Sequence, residues 1–490
     1  MKKSNSPMEL SEAEIRAVYA QGEEAVVALV SELLKQFQQQ SARLDKLEEQ
    51  VSKTSRNSSK PPSGDGFGKR TKSLRRRSDQ PSGGQAEHPG QTLEWRDEPD
   101  IERLHPLQSC PDCGGALEHA PVKQVYARQV FDLPAVDLLV TEHQVEVKHC
   151  QQCGASKQAA FPPEASNVVQ YGPRLKGMMT YLMDGQLLPS KRTGEILQDL
   201  MGVSVSEGTL YTTREDCFER LEPVMSAVQD QIRNAAVVHF DETGLRVKHQ
   251  LWWLHVAATD GLTAYFVHPK RGREAMDAMG ILPTFEGKAI HDGWHSYAQY
   301  EGCEHFLFNA HHLRELQFIW ERYEQTWAFQ LSLLLVSIHS HVEQLRAAAA
   351  EALTAAPLAA YEARYDAILE QGLRANPLPT LAPDASKQRG RPKRSPPRNL
   401  LERLHKHKAS VLGFMHDFII PFDNNQAERD VRMMKLKQKI SGCFRSEDGA
   451  KMFCRIRGYL ATMRKQGHNV FEALVDLFAG NPRLPLPQAE

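Results

Sequence analysis

Three acidic residues, far apart in the chain, combine a residue type and local patterns suited to metal chemistry. Asp241 ends the apolar run AAVVHF, Asp292 ends the run KAIH, and Glu428 lies within the segment FDNNQAERDVR. Carboxylate oxygens are the ligands that Mg²⁺ and Mn²⁺ prefer, and two such ions can clamp the attacking and leaving oxygens of a displacement at phosphorus. The three residues are therefore candidate catalytic acids and magnesium ligands.

A stripe of cations follows Glu428 on the helix predicted to contain it. Asp423 or Asn424 is a suitable N-cap, so this helix is expected to begin just before Glu428. Positions four, seven and eleven residues further on then share one helical face with Glu428. An ordinary solvated Glu–Arg pair is the alternative interpretation. The stripe consists of Arg432, Lys435 and Lys439, and with them the predicted DNA-binding cations are Arg429, Lys437 and Arg445.

Four of the eight cysteines form two CxxC pairs, each followed by glycine. The pairs are Cys110 with Cys113 and Cys150 with Cys153. Such turns can direct four thiolates at one tetrahedral Zn²⁺, which then has no open coordination position. We predict one structural zinc ion in an extended ribbon, whose inserted strands include the alternating stretch before Cys150. Two unrelated pairs of reduced cysteines are the alternative.

The composition indicates a multidomain protein without a membrane segment. The chain has 490 residues, of which 41% are hydrophobic, enough for several cores. It contains no run of about 18 uncharged apolar residues and no secretory signal, so we expect a cytoplasmic, nucleoid-associated protein. The net charge of −1 conceals basic clusters at 69–77, 387–398 and 429–465, as a DNA-binding protein requires.

The N-terminal half divides into four predicted segments. Residues 1–55 carry a heptad seam with Gln40 as its polar position, and predict a coiled-coil helix that joins chains into a homo-oligomer. Packing of this helix on its own chain is the alternative. Residues 56–100 form a flexible basic linker, 101–165 the zinc ribbon, and 166–233 a helical, helix-turn-helix-like segment. Ordinary helical packing is equally compatible with the last segment.

The C-terminal half completes a multidomain α+β protein. Within residues 234–314, three strands, a helix, a fourth strand and a fifth strand leading into a helix give the order of the ribonuclease H-like α/β fold. Its first and fourth strands are neighbours, which would bring Asp241 and Asp292 together. Residues 315–420 are predicted to be a helical insertion with a basic linker. Residues 421–490 contain the C-terminal catalytic helix and a basic tail region.

The chain resembles the DDE transposases of the insertion-sequence sixty-six family over nearly its full length. The resemblance rests on the N-terminal helix, the paired CxxC ribbon, and the motifs NSSKPP, YGP, QLLP, DET, DGW and NNQAER. It implies that Asp241, Asp292 and Glu428 are the catalytic acids and that a helical insertion separates the last two. One departure is the segment from Asn309 to Arg314, where the family usually has a Cys-Trp-Ala-His-type segment. The roles of its histidines, His311 and His312, are therefore open.

The reaction implied by this resemblance is cleavage and joining of DNA at the ends of a bacterial insertion sequence. Water activated on one of two metal ions hydrolyses a strand at the element's end, and the freed 3′-hydroxyl attacks a target phosphate. The expected partners are DNA, a second copy of the chain and companion proteins of the element. The alternatives are an inactive DNA-binding protein derived from a transposase, a nuclease that cuts without joining, and a coiled-coil scaffold.

Overall fold

A computed structural model describes residues 11–54, 57–58, 93–134, 136, 138–378 and 394–486. The predicted basic cluster at 69–77, and most of the one at 387–398, lie outside the described residues. The described residues form two compact units: those of the first fall within 1–73, 161–194 and 205–490, and those of the second within 74–160 and 195–204. Within the described ranges, no helix is long and apolar enough to cross a membrane.

The described part of the N-terminal segment, from residue 11 onward, contains two helices. α1 (Glu12–Ala20) begins at a capping box, in which the Ser11 hydroxyl accepts from the Glu14 N–H and the Glu14 carboxylate accepts from the Ser11 N–H. α2 (Glu23–Ser52) carries the predicted heptad seam and has no buried residue. The seam side chains are exposed, reaching 74% at Val51, so the seam is mostly open to solvent.

The second unit contains two short strands beside the second CxxC pair. β1 (Val147–His149) and β2 (Ser156–Gln158) pair antiparallel. The inserted strand predicted in the stretch before Cys150 is limited to β1, because the rest of the described part of that stretch forms no strand. Alternating residues form a strand only where a neighbour accepts the backbone hydrogen bonds. Here the apolar side chains stay exposed, Leu139 to 92%.

Helices lead into the central sheet. They are α3 (Pro173–Thr180), its π-helical continuation (Tyr181–Gly185), α4 (Ser190–Met201), α5 (Glu207–Arg220) and α6 (Glu222–Arg233). Gly202 follows α4 with a left-handed φ of 66°. The Ser206 hydroxyl caps α5 by accepting the Thr209 N–H at 3.0 Å. These ends agree with those expected for the helix-turn-helix candidate, whose binding to DNA stays a prediction.

A five-stranded sheet lies at the centre of the first unit. Its strands are β3 (Val237–Val247), β4 (Gln250–Ala258), β5 (Thr263–His268), β6 (Lys288–His291) and β7 (Glu304–Leu307). Their spatial order is β5-β4-β3-β6-β7. β3, β4 and β5 pair antiparallel, whereas β6 pairs parallel with both β3 and β7. The first and fourth strands of the sheet are therefore neighbours.

Helices cover both faces of the sheet. In addition to the helices described above and those of the insertion, these are α7 (Arg273–Met279), α13 (Asn425–Ser441), α14 (Glu447–Lys465) and α15 (Val470–Phe478). One face buries Val238 and Phe240 of β3 in a core shared with α5, α6, α14 and α15. The opposite face buries Leu245 and Val247 of β3 against α13. Alternate residues of β3 therefore enter different cores.

A helical insertion follows β7, and its core also includes Ile290 of β6 and Leu307 of β7. Its helices are α8 (Asn309–Tyr323), α9 (Thr326–Ala347), α10 (Ala355–Ala375), α11 (Pro396–Lys406) and α12 (Lys408–His416). α8 is unbroken, so the boundary predicted between residues 314 and 315 falls inside a helix. α12 packs closely on the edge strand at Gly413, where a Cβ atom would lie 2.3 Å from the Phe306 ring.

Candidate active site

The strand register places Asp241 and Asp292 side by side. β3 and β6 run parallel with His239 opposite Ile290, so a point two residues further along brings Asp241 level with Asp292. Asp292 directly follows β6, as predicted. Asp241, by contrast, is not at the end of its strand, because β3 continues to Val247 in a hairpin with β4. The polar residues after Asp241 concealed this continuation in the sequence.

Asp241 points to the sheet face that α13 covers, because it shares the strand alternation of Leu245 and Val247. One of its carboxylate oxygens accepts the Glu242 N–H at 2.8 Å. Burial, together with the negative charges of Glu242, Asp292 and Glu428, raises the pKa of the Asp241 carboxyl well above its usual range. Asp241 therefore lies in a buried concentration of negative charge.

Glu242 points to the other face and anchors the neighbouring loop. Its carboxylate, 1% exposed, accepts from the Arg271 guanidinium at 2.6 Å and from the Tyr297 hydroxyl at 2.6 Å. The Arg271 guanidinium also stacks over Trp294 at 4.1 Å and lies 3.9 Å from the Asp292 carboxylate. Sequence reasoning missed these residues, because their contacts join segments that no local pattern connects.

Asp292 is fixed at the start of a tight turn. Its Oδ1 accepts the Trp294 N–H at 2.8 Å, and Gly293 between them has a φ of 82°, a conformation that favours glycine. Burial, followed by the charge of Glu242, raises the pKa of the Asp292 carboxyl. The turn therefore holds a second carboxylate in the same negatively charged environment.

The start of α13 is tied to β3 beside Asp241. Asn424 is the N-cap residue, but its side chain does not cap the helix. Its Oδ1 lies 2.6 Å from the His239 Nδ1, and its Nδ2 donates to the Phe240 carbonyl at 3.3 Å. The expectation that Asp423 or Asn424 caps the helix by its side chain is therefore wrong for Asn424, whose amide instead fixes α13 on the strand.

Glu428 lies one turn into α13 and is surrounded by cations. The Arg314 Nη1 and Nη2 atoms lie 3.3 and 3.5 Å from its two oxygens, and the Arg432 Nη2 lies 3.2 Å from Oε2. The His311 Nε2 lies 3.6 Å from Oε1. The next residue, His312, is buried in the core, and this burial lowers its pKa to about 3. Of the two histidines, only His311 therefore faces the site.

The residue types of this site fit a hard divalent cation, because three carboxylates supply oxygen ligands where burial and nearby negative charge raise the pKa of Asp241. The carboxylate side chains have the right chemistry for such an ion, but they are not arranged around one point in this structure. Among the described residues, no three His, Cys, Asp or Glu side chains form a group that could hold a metal ion. The oxygens of Glu428 are paired with the Arg314 and Arg432 guanidinium groups.

The predicted DNA-binding cations differ in their access to solvent. Arg429, Arg432, Lys439 and Arg445 are exposed. Lys435 is half-buried and donates to the Gly244 carbonyl at 2.8 Å. Lys437 differs from its prediction as an exposed DNA-binding cation. It is only 8% exposed, donates to the Gly442 carbonyl at 3.1 Å and lies 3.8 Å from the centre of the Phe444 ring. Its ammonium group is therefore enclosed and not presented to a phosphate.

Asp430 lies two positions beyond Glu428, about 200° around α13, and belongs to the core side of the helix. Its carboxylate, 13% exposed, pairs with the Lys465 ammonium at 3.0 Å and accepts from the Thr263 hydroxyl at 3.4 Å. Glu428 and Asp430 thus point in different directions, the first to Arg314 and the second to Lys465. Asp430 joins α13 to α14 and takes no part in the site.

The two CxxC pairs form matching turns in the second unit. Gly114 and Gly154 have φ of 72° and 70°, and each donates its N–H to the carbonyl of the first cysteine of its pair, at 2.8 and 2.9 Å. Hydrogen bonds from the backbone of Asp112 and Cys113 lower the pKa of the Cys110 thiol. The same arrangement lowers the pKa of Cys150, through Cys153 and then Gln152. Both turns therefore favour thiolates, the form that binds zinc.

Comparison with known protein families identifies both units. The family described as Transposase IS66 family matches residues 169–452, and the zinc-finger binding domain of transposase IS66 matches residues 108–154. A family of unknown function (DUF6444) matches residues 4–94. No curated protein matches the chain.

The first match spans more than half of the chain and contains the sheet, the insertion and α13. The zinc-finger match contains both CxxC pairs and supports a structural zinc ion in this segment. The chain therefore belongs to the IS66 family of transposases.

Proposed function

We propose that the chain is an active transposase that cleaves and joins DNA at the ends of its insertion sequence, with Asp241, Asp292 and Glu428 as catalytic acids. The observation that carries the proposal is the parallel register of β3 and β6, which brings Asp241 level with Asp292. Burial, followed by the charges of Glu242, Asp292 and Glu428, raises the pKa of the Asp241 carboxyl. The strand order and the parallel β3–β6 pair also support a ribonuclease H-like fold for residues 234–314.

The three acids would hold Mg²⁺ or Mn²⁺, and two such ions supply activation of the attacking oxygen and neutralise charge at the phosphate. The protein fixes the carboxylates in advance. The Glu242 N–H orients Asp241, and the Trp294 N–H orients Asp292. Such fixed ligands reduce the reorganisation needed when substrate binds.

The exposed cations of α13 and the following loop would contact the DNA backbone. Arg432 lies one turn after Glu428, and Lys439 continues the same face. Arginine and lysine contacts to phosphate position DNA without reading its sequence. Recognition of the element's end is assigned to the zinc ribbon, to the helix-turn-helix candidate formed by α4 and α5, or to both. Lys437 is left out of this surface, because it is buried.

The experiment that tests the function uses a labelled duplex carrying the element's end and a supercoiled target plasmid. The wild-type protein should nick the duplex in Mg²⁺, join the new 3′ end to the target, and do neither in EDTA. Binding without cleavage would identify an inactive DNA-binding derivative. Cleavage without joined product would identify a nuclease.

Deleting the first 55 residues is expected to lower the oligomeric state. The seam of α2 would remain exposed in a single chain, and burial of such seams drives coiled-coil association. Light scattering should therefore give a mass of at least two protomers for the full chain and fewer protomers per particle for the truncated chain. The same number of protomers in both proteins would show that α2 does not join chains.

A further inference from the structure

We propose that the ion pair between Arg314 and Glu428, called the latch below, blocks metal binding at the three acids. A DNA phosphate would draw Arg314 away from Glu428, so that DNA binding promotes metal binding. The inference rests on the proposed function, in which Glu428 is the third metal ligand. It assigns a role to Arg314, a residue of the insertion helix α8, which otherwise belongs to neither the sheet nor the catalytic helix.

Arg314 contacts both carboxylate oxygens of Glu428. Nη1 and Nη2 of the guanidinium face Oε1 and Oε2 of Glu428 at 3.3 and 3.5 Å. The two side chains are 21% and 13% exposed. Partial exclusion of water makes this attraction stronger than that of a surface ion pair. Arg432 also contacts Glu428, but it is 65% exposed and is free to turn toward solvent.

The latch and a metal ion compete for the same oxygens. A carboxylate that faces a guanidinium through both oxygens has fewer lone pairs for a cation, and the fixed positive charge repels that cation. Arg271, 3.9 Å from Asp292, adds a second positive charge at the site. Both positive charges therefore oppose a cation at the acids while the arginines stay in these positions.

A phosphate is the ligand best suited to open the latch. Guanidinium binds phosphate through two parallel hydrogen bonds, as it binds a carboxylate. DNA bound to the exposed cations of α13 would contact Arg432. Arg432 contacts the Glu428 carboxylate, so a DNA phosphate would lie close to the latch. Transfer of Arg314 from Glu428 to phosphate would free both oxygens. Linkage then requires that DNA strengthens metal binding and that metal strengthens DNA binding by the same factor.

The test measures Mn²⁺ binding to the full-length, zinc-loaded protein by electron paramagnetic resonance, with and without a duplex of the element's end. In the wild type, DNA should tighten Mn²⁺ binding about tenfold, equivalent to about 1.4 kcal/mol. Arg314→Gln should bind Mn²⁺ about tenfold more tightly without DNA, and DNA should then add little. Arg314→Lys, which keeps the charge but loses the paired geometry, should give an intermediate affinity.

Two controls isolate the site. Arg403→Gln removes an arginine that pairs with Glu315, the residue next to Arg314, and should behave as the wild type. Asp241→Asn measures the Mn²⁺ held by DNA and by other sites, which is subtracted. Thermal melting checks that each variant is folded.

Weaker Mn²⁺ binding by DNA-free Arg314→Gln would overturn the latch, because Arg314 would then only orient Glu428. An undiminished DNA effect in this variant would overturn it as well. Failure of the underlying proposed function has a different signature: Mn²⁺ binding by the wild type would be unchanged by Asp241→Asn and by Glu428→Gln.

Discussion

Replacing Glu428 with glutamine is expected to abolish strand cleavage in Mg²⁺ while DNA binding survives. Glutamine keeps the shape of the side chain but removes the negative charge that would hold the cation. We expect a loss of at least about a thousandfold, which corresponds to roughly 4 kcal/mol of transition-state stabilisation. Asp241→Asn and Asp292→Asn should have the same effect. The measurement is cleavage of a labelled element-end duplex beside a gel shift on the same DNA.

Asp430→Asn is the matched control, because it removes a carboxylate from the same helix on its opposite side. The variant leaves Lys465 without its carboxylate, although the Thr259 and Leu262 carbonyls still accept from its ammonium group. We expect a loss of about 1–3 kcal/mol in the free energy of unfolding and retention of most cleavage below the melting temperature. Cleavage by Glu428→Gln together with inactivity of folded Asp430→Asn would assign the third acid to the wrong residue.

Purified protein is expected to contain about one Zn²⁺ per chain, and Cys110→Ser is expected to lose it. The segment depends on its metal, because β1 and β2 have three residues each, all exposed, and such a pair is not stable alone. Structural zinc contributes about 10–16 kcal/mol to the folding of small domains, so its loss should unfold this segment. Elemental analysis measures the zinc content, and an absence of zinc in the wild type would contradict the assignment.

The same variant tests what the zinc segment does. Cys110→Ser should impair binding to element ends, while the melting transition of the sheet domain should stay unchanged. Comparable losses in end binding and in sheet-domain stability would instead make the zinc segment a general folding element.

The strand order was predictable because each strand contains a short apolar run, even where the strand itself is longer. Asp292 illustrates this, since the buried run of β6 ends immediately before it. Asp241 shows the limit of the same reasoning. The polar residues that follow it ended the apolar run, whereas backbone pairing with β4 extends β3 to Val247. Pairing depends on a neighbour that local composition does not reveal.

The side chains that hold the acids in place were not predictable. His239 and Asn424 are 185 positions apart, and Glu242 meets Tyr297 only because the sheet and its loops bring them together. Helical spacing is enough to separate Glu428 from Asp430, because two positions correspond to about 200° around a helix. It did not predict that Lys437 is buried, because the Phe444 ring that covers it lies beyond the end of α13.

The most direct test of the shared metal site is iron-mediated cleavage of the protein backbone. Fe²⁺ bound in place of Mg²⁺ generates hydroxyl radicals with ascorbate and peroxide, and these cut the chain beside the ion. The reaction is run on the full chain with element-end DNA, and the fragments are mapped by mass spectrometry. We expect cuts near Asp241, Asp292 and Glu428, suppressed by excess Mg²⁺ and lost in Asp241→Asn. Cuts at other positions, or cuts near only one of the three acids, would contradict a metal site shared by all three.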